Sequence, residues 1–260
     1  MIQKKSITVG LEKIRYQNFT KNTCNPRKSI ALIMKLSSGM KQILMLLKIN
    51  QYCLETYNAK KWAFVSDYAR LKIIYENGGV YLNTDVELLK DITPLISNGI
   101  GFIGFQNPIE VNTGLGFAAP PHNEVVKAML CIYEKRHFVL SDGTYKTIPC
   151  PVANTLGLIN CGLKVNQPWY TRIQMLNGIK VYPEEYFNPL NNDTQKLNIT
   201  PNTYMVHHYA ATWVDNNQKL RKTIKRFIPA FILLKHTKNV ARRNMQLLKD
   251  EIENAEGCKC

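Results

Sequence analysis

The sequence has no hydrophobic run long enough to span a membrane, because none approaches the ~18 apolar residues that a span needs. It also opens without the pattern of a secretory signal. Its seven cysteines are an odd number, which disfavours a disulfide framework, and none upstream of the C-terminal tail has the paired spacing of a metal site. We therefore expect a cytoplasmic protein. A chain of 260 residues that is 45% apolar can bury one substantial core or two small ones.

Acidic residues are scarce: 19 Asp and Glu stand against 34 Lys and Arg, which gives a formal net charge of +15. The imbalance lies at the two ends of the chain. Residues 1–50 contain ten basic residues against one acidic residue, and residues 216–249 contain ten against none. Residues 51–215 contain thirteen basic residues against fourteen acidic ones. Because the central region is nearly neutral, the charge does not indicate a nucleic-acid partner, and we predict none.

Residues 63–87, AFVSDYARLKIIYENGGVYLNTDVE, divide into a helix, a double-glycine stop, a short strand and an acidic turn. Apolar residues recur at helical spacing over Ala63–Tyr75, with no Gly or Pro inside. Gly78 and Gly79 supply the positive φ angles that end a helix and turn the chain. The apolar run Val80–Leu82 is typical of a strand that is buried on both faces. Later in the chain, we predict strands or helices for four further segments: Gly99–Gln106, Glu124–Arg136, Thr155–Asn160 and Gly178–Phe187.

The acidic turn predicts a ligand site. Asn83 and Asp85 are two apart in an extended segment, so their side chains project to the same side. Ligands of open α/β sheets bind beyond the carboxyl ends of the strands, where this turn lies. On the preceding helix, Asp67 and Arg70 are three apart and share a face, so they can act on one ligand. The alternative is a surface ion pair of little energetic weight.

This ordered set resembles the glycosyltransferase family whose sugar-binding region contains a DXD motif. The family includes bacterial capsular-polysaccharide and lipopolysaccharide glycosyltransferases and yeast outer-chain mannosyltransferases. One departure is that Asn83 stands where the family has its first Asp. The residues that carry the resemblance are Ser66, Asp67, Arg70, Gly78, Gly79, Tyr81 and Asp85.

The resemblance implies a nucleotide-sugar transferase fold of the GT-A type, which is a single α/β domain with a central mixed sheet flanked by helices. It implies transfer of a sugar from a nucleotide-sugar donor to a surface polysaccharide or lipid-linked glycan, assisted by Mn²⁺ or Mg²⁺. Asp85 would bind the metal. The resemblance names no catalytic base. The remaining residues of the set would bind substrate: Ser66, Asp67, Arg70, Tyr81 and Asn83.

Two later segments extend the resemblance. Asn112 and Gly114 belong to a segment, NTGLGFAA, that is similar to one near the donor sugar in the family; the alternative is a glycine-rich hairpin arm. Tyr204–Val206 predicts a strand with two histidines at its end, and the family closes its domain with a similar element. By that resemblance His208 is the second metal ligand, although two adjacent histidines also occur in ordinary core or surface positions. Thr212 would then line the phosphate and Trp213 would cover the site.

The first 49 residues fit this family poorly. Only Ile30–Leu36 and Gln42–Ile49 are predicted to be helical. Codons can be chosen for Lys5–Asn22 so that a shifted reading frame gives a string similar to the family opening, and we hypothesise that roughly residues 5–48 are translated out of frame. The alternative is a divergent N-terminus with its own strand. We therefore divide the chain into an atypical segment (residues 1–49), a glycosyltransferase core (50–215) and a basic tail (216–260).

The basic tail alternates basic and apolar residues over Lys219–Arg243. Such a segment is typical of a helix on an anionic membrane surface, and a solvated helix is the alternative. Contact with the inner face of a membrane would suit a lipid-linked acceptor. Two rival functions stay open: a catalytically silent homologue, indicated by Asn83 and the atypical N-terminus, and a membrane-surface or nucleic-acid binding module built on the basic ends.

Overall fold

A computed structural model describes residues 6–8, 31–33, 50–165, 167–192, 194–209 and 228–254. Thr212 and Trp213 lie outside these ranges, as do the predicted helix Gln42–Ile49 and most of the N-terminal segment, so the predictions made for them stay predictions.

Within these ranges, the strands form one large mixed sheet and one short ribbon. The large sheet has eight strands in the order β2-β1-β3-β7-β5-β9-β8, with β6 paired to β5, and the ribbon is β4 with β10. The pairs β1–β3 and β5–β9 are parallel, whereas β3–β7 and β5–β7 are antiparallel. The strands are β1 (Ser6–Thr8), β2 (Ala31–Ile33), β3 (Gly79–Tyr81), β4 (Val86–Leu88), β5 (Gly101–Asn107), β6 (Glu110–Val111), β7 (Phe117–Ala119), β8 (Gln174–Leu176), β9 (Ile179–Tyr182) and β10 (Met205–His207).

Helices pack beside this sheet, so the predicted α/β class with a mixed sheet is confirmed. They are α1 (Gln51–Asn58), α2 (Trp62–Asn77), α3 (Glu124–Glu134), α4 (Cys150–Asn160), α5 (Glu184–Phe187) and α6 (Ala230–Asn254). Helices α3 and α4 lie so close that a Cβ on Gly157 would approach the Cα of Met129 to 2.7 Å. The main core contains apolar side chains from α1–α4, several strands and Leu248 of α6.

The double glycine ends α2 as predicted. The N–H of Gly78 donates to the carbonyl of Ile74 at 2.8 Å, and Gly78 and Gly79 have φ angles of +62° and +115°. A Cβ on Gly78 would also lie 2.6 Å from Cδ of Pro121, so a larger residue is excluded by contact as well as by backbone geometry. The chain therefore turns directly from α2 into β3, whose three residues are all buried.

The structure corrects two predictions. Ala31–Ile33 is a strand paired with β1, although a helix was predicted over Ile30–Leu36, because a short apolar run does not distinguish the two structures by periodicity. Helix α4 begins at Cys150 instead of Thr155. Prolines suit the first turn of a helix, where an N–H has no intrahelical partner, so Pro149 and Pro151 did not mark a loop.

Helix α6 packs on the core through one face. Leu233, Ala241 and Leu248 are buried, and they recur at intervals of seven or eight residues, which places them on one side of the helix. Within the described ranges, no helix combines the length and the apolar character needed to cross a membrane.

Candidate functional site

The ribbon of β4 and β10 brings the two informative stretches of sequence together. Its antiparallel register places His207 opposite Val86. The N–H of His208 then donates to the carbonyl of Asp85 at 2.9 Å. The acidic turn and the histidine pair, which are far apart in sequence, are therefore neighbours in the fold.

His207 is the histidine that faces the acidic turn. Its Nε2 lies 3.1 Å from Oδ1 of Asp85, and the side chains of His207 and Asp85 are 9% and 15% exposed. The same Nε2 lies 3.5 Å from Nδ2 of Asn83. His208 instead contacts Glu87 at 2.8 Å, where both side chains are about half exposed. The structure thus brings Asp85 and Asn83 together with His207; a metal-binding role for His208 stays a prediction.

Asp67 and Arg70 form a buried ion pair instead of a surface pair. Their residues are 8% and 5% exposed, and a guanidinium nitrogen of Arg70 contacts Oδ1 of Asp67. The guanidinium lies over the ring of Tyr81, 5.2 Å from its centroid. Burial opposes the charge of Arg70, but electrostatic interactions with neighbouring groups, which include the carboxylate of Asp85, outweigh it and raise the pKa of Arg70. Arg70 therefore stays charged, and its Nε has no hydrogen-bond partner among the described residues.

Tyr81 connects this pair to the acidic turn. Its hydroxyl donates to Oδ1 of Asn83 over 3.4 Å. Burial raises the pKa of Tyr81, so the phenol is neutral and acts as a donor. Ser66 does not join these contacts, because its hydroxyl donates to the carbonyl of Ala63 within α2 at 2.7 Å.

Gly114 lies against Arg70, and Asn112 is bonded to Gly114; their role near a donor sugar stays a prediction. Oδ1 of Asn112 accepts the N–H of Gly114 at 2.6 Å. A Cβ on Gly114 would lie 3.3 Å from Nη1 of Arg70 and 2.9 Å from Oδ1 of Asn112. A side chain larger than hydrogen at position 114 would therefore crowd the guanidinium of Arg70 and the side chain of Asn112.

Three residues that the sequence did not single out connect the loop to the histidine. Nδ2 of Asn112 donates to Oε1 of Gln106 at 2.9 Å, and Nδ2 of Asn188 donates to the carbonyl of Gln106 at 2.8 Å. The hydroxyl of Tyr209 donates to Oδ1 of Asn188 at 2.8 Å, and its ring lies edge-on to His207 with 4.3 Å between centroids. The only available signal was that Tyr209 directly follows the histidine pair.

These neighbouring residues form a circuit, closed by the approach of Gly114 to Arg70, which we call the polar ring. Asp67 is attached to it at one side and Asp85 at the other. Its members are Arg70, Tyr81, Asn83, His207, Tyr209, Asn188, Gln106, Asn112 and Gly114.

The donor set at the acidic turn fits a divalent cation only in part. Mg²⁺ and similar hard cations are commonly held by one or two carboxylates and completed by substrate phosphates and water. Imidazole is an acceptable ligand for Mn²⁺. Asp85 and His207 supply one carboxylate and one imidazole, and Asn83 adds a neutral amide. In the part of the chain that the structure describes, no three His, Cys, Asp or Glu residues are grouped to hold a metal. A cation here would depend on the phosphates of a ligand.

Comparison with known families gives one match. A model of the glycosyltransferase sugar-binding region that contains a DXD motif matches residues 12–100, which is about a third of the chain. The matched segment begins within the atypical N-terminal residues and includes α2, β3 and the acidic turn. No curated protein and no solved structure matches the chain. The similarity supports a transferase that acts on a sugar.

Proposed function

We propose that the protein is a glycosyltransferase that moves a sugar from a nucleotide-sugar donor to a surface polysaccharide or lipid-linked glycan. The observation that carries this proposal is the polar ring, in which the acidic turn, the buried Asp67–Arg70 pair and the Asn112–Gly114 loop are neighbours. The family match covers the first two of these elements. A bacterial enzyme with a GT-A-type fold is the form that we propose.

The reaction places new negative charge on the departing nucleoside diphosphate. A bound Mn²⁺ or Mg²⁺ would act there as a Lewis acid. Asp85 and His207 would hold that cation, and Asn83 would bind ribose or sugar hydroxyls through its amide. Asp67 and Arg70 would bind donor-sugar hydroxyls, since a carboxylate and a guanidinium give directional, charge-assisted hydrogen bonds.

Calorimetric titration with UDP and GDP, each with and without Mn²⁺, tests this assignment. We expect binding of one nucleotide that requires Mn²⁺ and is lost in Asp85→Ala. His207→Ala and His208→Ala form a matched pair on adjacent residues. We expect His207→Ala to abolish the Mn²⁺ requirement or the binding and His208→Ala to retain both. The reverse result would make His208 the ligand, and an Asp85→Ala variant that binds like the wild type would contradict the site.

A catalytically silent homologue is the second candidate, and Asn83 is the observation that favours it. An amide contributes hydrogen bonds but no negative charge, so the turn attracts a cation less strongly than two carboxylates would. The variant Asn83→Asp separates the two candidates. If the native protein hydrolyses or transfers a nucleotide sugar, it is an enzyme as it stands. If only Asn83→Asp does so, the native chain is the silent form.

We propose further that the protein works in the cytoplasm at the inner face of the membrane. Phe231 and Ile232 at the start of α6 are 73% and 46% exposed. Exposed apolar side chains beside basic ones favour an anionic lipid surface. The exposed basic residues of this helix are Lys235, Arg242, Arg243 and Lys249.

Sedimentation with lipid vesicles tests the membrane contact. We expect the protein to sediment with phosphatidylglycerol vesicles and to stay in solution with phosphatidylcholine vesicles. The double variant Phe231→Ser, Ile232→Ser should lose this binding, while Val240→Ser, an exposed position elsewhere on α6, should keep it. Equal binding by both variants would contradict a lipid role for the start of the helix.

A further inference from the structure

Cys150 reaches the polar ring from a separate element. It is the first residue of α4 and is partly exposed. Its Sγ donates to Oδ1 of Asn112 at 3.5 Å, the same atom that accepts the N–H of Gly114. A thiol therefore lies beside the loop that contacts Arg70.

The surroundings of Cys150 contain buried donors that lack acceptors. Arg136 is 2% exposed, and its guanidinium lies over the rings of Tyr52 and Tyr133, at 4.8 and 5.3 Å from their centroids. Its Nη2 donates to the carbonyl of Ile148, while Nε and Nη1 have no hydrogen-bond partner in the described ranges. Nε of Arg70 is also buried and has no hydrogen-bond partner among the described residues.

Unsatisfied buried donors are costly, and a ligand rich in oxygen acceptors relieves them. The hydroxyl oxygens of a sugar are acceptors of this kind. Arg136 donates to the carbonyl of Ile148, two residues before Cys150. Arg70 lies against Gly114, whose N–H shares Oδ1 of Asn112 with the thiol. The thiol, the Asn112–Gly114 loop and the two guanidinium groups are therefore neighbours, next to the Asp67–Arg70 pair.

We propose that Cys150 forms part of the wall of the donor-sugar pocket, so that a bound sugar covers its thiol and the size of its side chain limits which sugar fits. This inference rests on the proposed function. The thiol supplies a weak donor to Asn112, and a sugar hydroxyl would take its place on Oδ1. Replacing this side chain by the methyl group of alanine or the hydrogen of glycine would widen the pocket at this wall.

The reactivity of the Cys150 thiol also gives a way to measure whether a ligand occupies the pocket. Burial raises the pKa of Cys150 against the opposing effect of Arg70 and Arg136, so the group is a protonated, slowly reacting thiol. Iodoacetamide alkylates the thiolate fraction: a sulfur–carbon bond forms, iodide leaves, and the thiol proton passes to solvent. A ligand that covers Sγ blocks this reaction in proportion to its occupancy.

The test is the rate at which iodoacetamide labels each cysteine of the folded full chain, measured by peptide mass spectrometry. The ligands are UDP, GDP, UDP-glucose, UDP-N-acetylglucosamine and GDP-mannose, with Mn²⁺. At a ligand concentration 100 times Kd, a covered thiol should react about 100-fold more slowly. We expect this protection at Cys150 from a nucleotide sugar and much less from the free nucleotide. Cys131 and Cys161, which are also partly exposed, are the internal controls and should react at unchanged rates.

Calorimetry on the same samples separates the inference from the function on which it rests. If a nucleotide sugar binds and Cys150 reacts at its unprotected rate, the inference is wrong and the proposed function stands. If no nucleotide sugar binds to the folded protein, both fail. Protection of all cysteines alike would indicate a general tightening of the fold and would also overturn the inference.

Substitution gives a second measurement that does not depend on labelling. Cys150→Ala and Cys150→Gly should change the ratio of Kd values between a compact and a bulky donor, such as UDP-glucose and UDP-N-acetylglucosamine, by about 10-fold in favour of the bulky one. Cys161→Ala is the matched control and should leave the ratio unchanged. An unchanged ratio in the Cys150 variants, with both donors still bound, would remove Cys150 from the pocket wall.

Discussion

The buried Asp67–Arg70 pair makes a stability prediction that separates two interpretations of the same sequence spacing. An exposed pair on one helix turn contributes only about 0.3–0.5 kcal/mol. Removing one partner of a buried pair costs about 3–5 kcal/mol, because the other charge is left in a poorly solvated site. Exposures of 8% and 5% place this pair in the second class. Neutralising Asp67 is therefore the informative change.

For Asp67→Asn we expect a loss of about 3 kcal/mol in the free energy of unfolding. The lower part of the range applies because Arg70 keeps its contact with the ring of Tyr81, which offsets part of the charge. For a protein of this size, each kcal/mol lowers Tm by about 2–4 °C, so Tm should fall by about 6–12 °C. Urea unfolding followed by circular dichroism measures the free energy directly.

A second pair on the same helix is a matched control. Nζ of Lys72 lies 3.2 Å from Glu76, and the two side chains are 20% and 46% exposed. Glu76→Gln should cost at most about 0.5 kcal/mol. The double variant Asp67→Asn, Arg70→Met should be more stable than Asp67→Asn alone, since it removes the stranded charge. If Asp67→Asn costs no more than Glu76→Gln, the pair is not buried and the argument fails.

Three further predictions concern the polar ring and its surroundings. Tyr209→Ala should weaken Mn²⁺-dependent nucleotide binding about 10-fold in calorimetry, since the ring that positions His207 is lost; Tyr209→Phe, which keeps the ring, should retain most of the affinity. Gly114→Ala should lower nucleotide-sugar affinity and cost about 1–3 kcal/mol in urea unfolding, because its Cβ meets Arg70 and Asn112, and an unchanged Kd would contradict the close approach. Burial raises the pKa of Glu184 from 4.5 to about 7, so the folded state binds a proton in this window that the unfolded chain has lost. Stability should therefore fall as pH rises from about 4.5 to 7, and Glu184→Gln should flatten this part of a Tm–pH profile; equal slopes would contradict the burial of this carboxyl.

The segment from α2 to the acidic turn could be predicted from the sequence, because its structure depends on interactions between residues that are close together in the chain. Helical spacing predicts α2, and Gly78 can end it only through a positive φ angle, so the order of helix, turn and strand follows from neighbouring residues. The placement of Asp67, Arg70 and Tyr81 near the acidic turn follows from that order. Their burial does not, because it depends on the Asn112–Gly114 loop, which comes from a different element.

The orientation of His207 and His208 shows why the rest of the site could not be predicted. Successive side chains of a strand point to opposite sides, so a shift of one residue exchanges the two histidines. The sequence alone does not define the last residue of β10 to within one position, whereas the pairing of β10 with β4 fixes it. Three other residues of the polar ring could not be predicted either, because each contributes through a tertiary contact that no local sequence pattern indicates. They are Gln106, Asn188 and Tyr209.

The β4–β10 ribbon has a consequence for the timing and the mobility of the site. Each strand has three residues, and an isolated two-stranded ribbon is marginally stable in water. Closing the long segment between Asp85 and His207 costs loop entropy, so these contacts form only after the intervening chain has folded. The half of the site that carries Asp85 should accordingly exchange its amide hydrogens faster than the main sheet does, and a ligand that bridges the turn and β10 should slow that exchange.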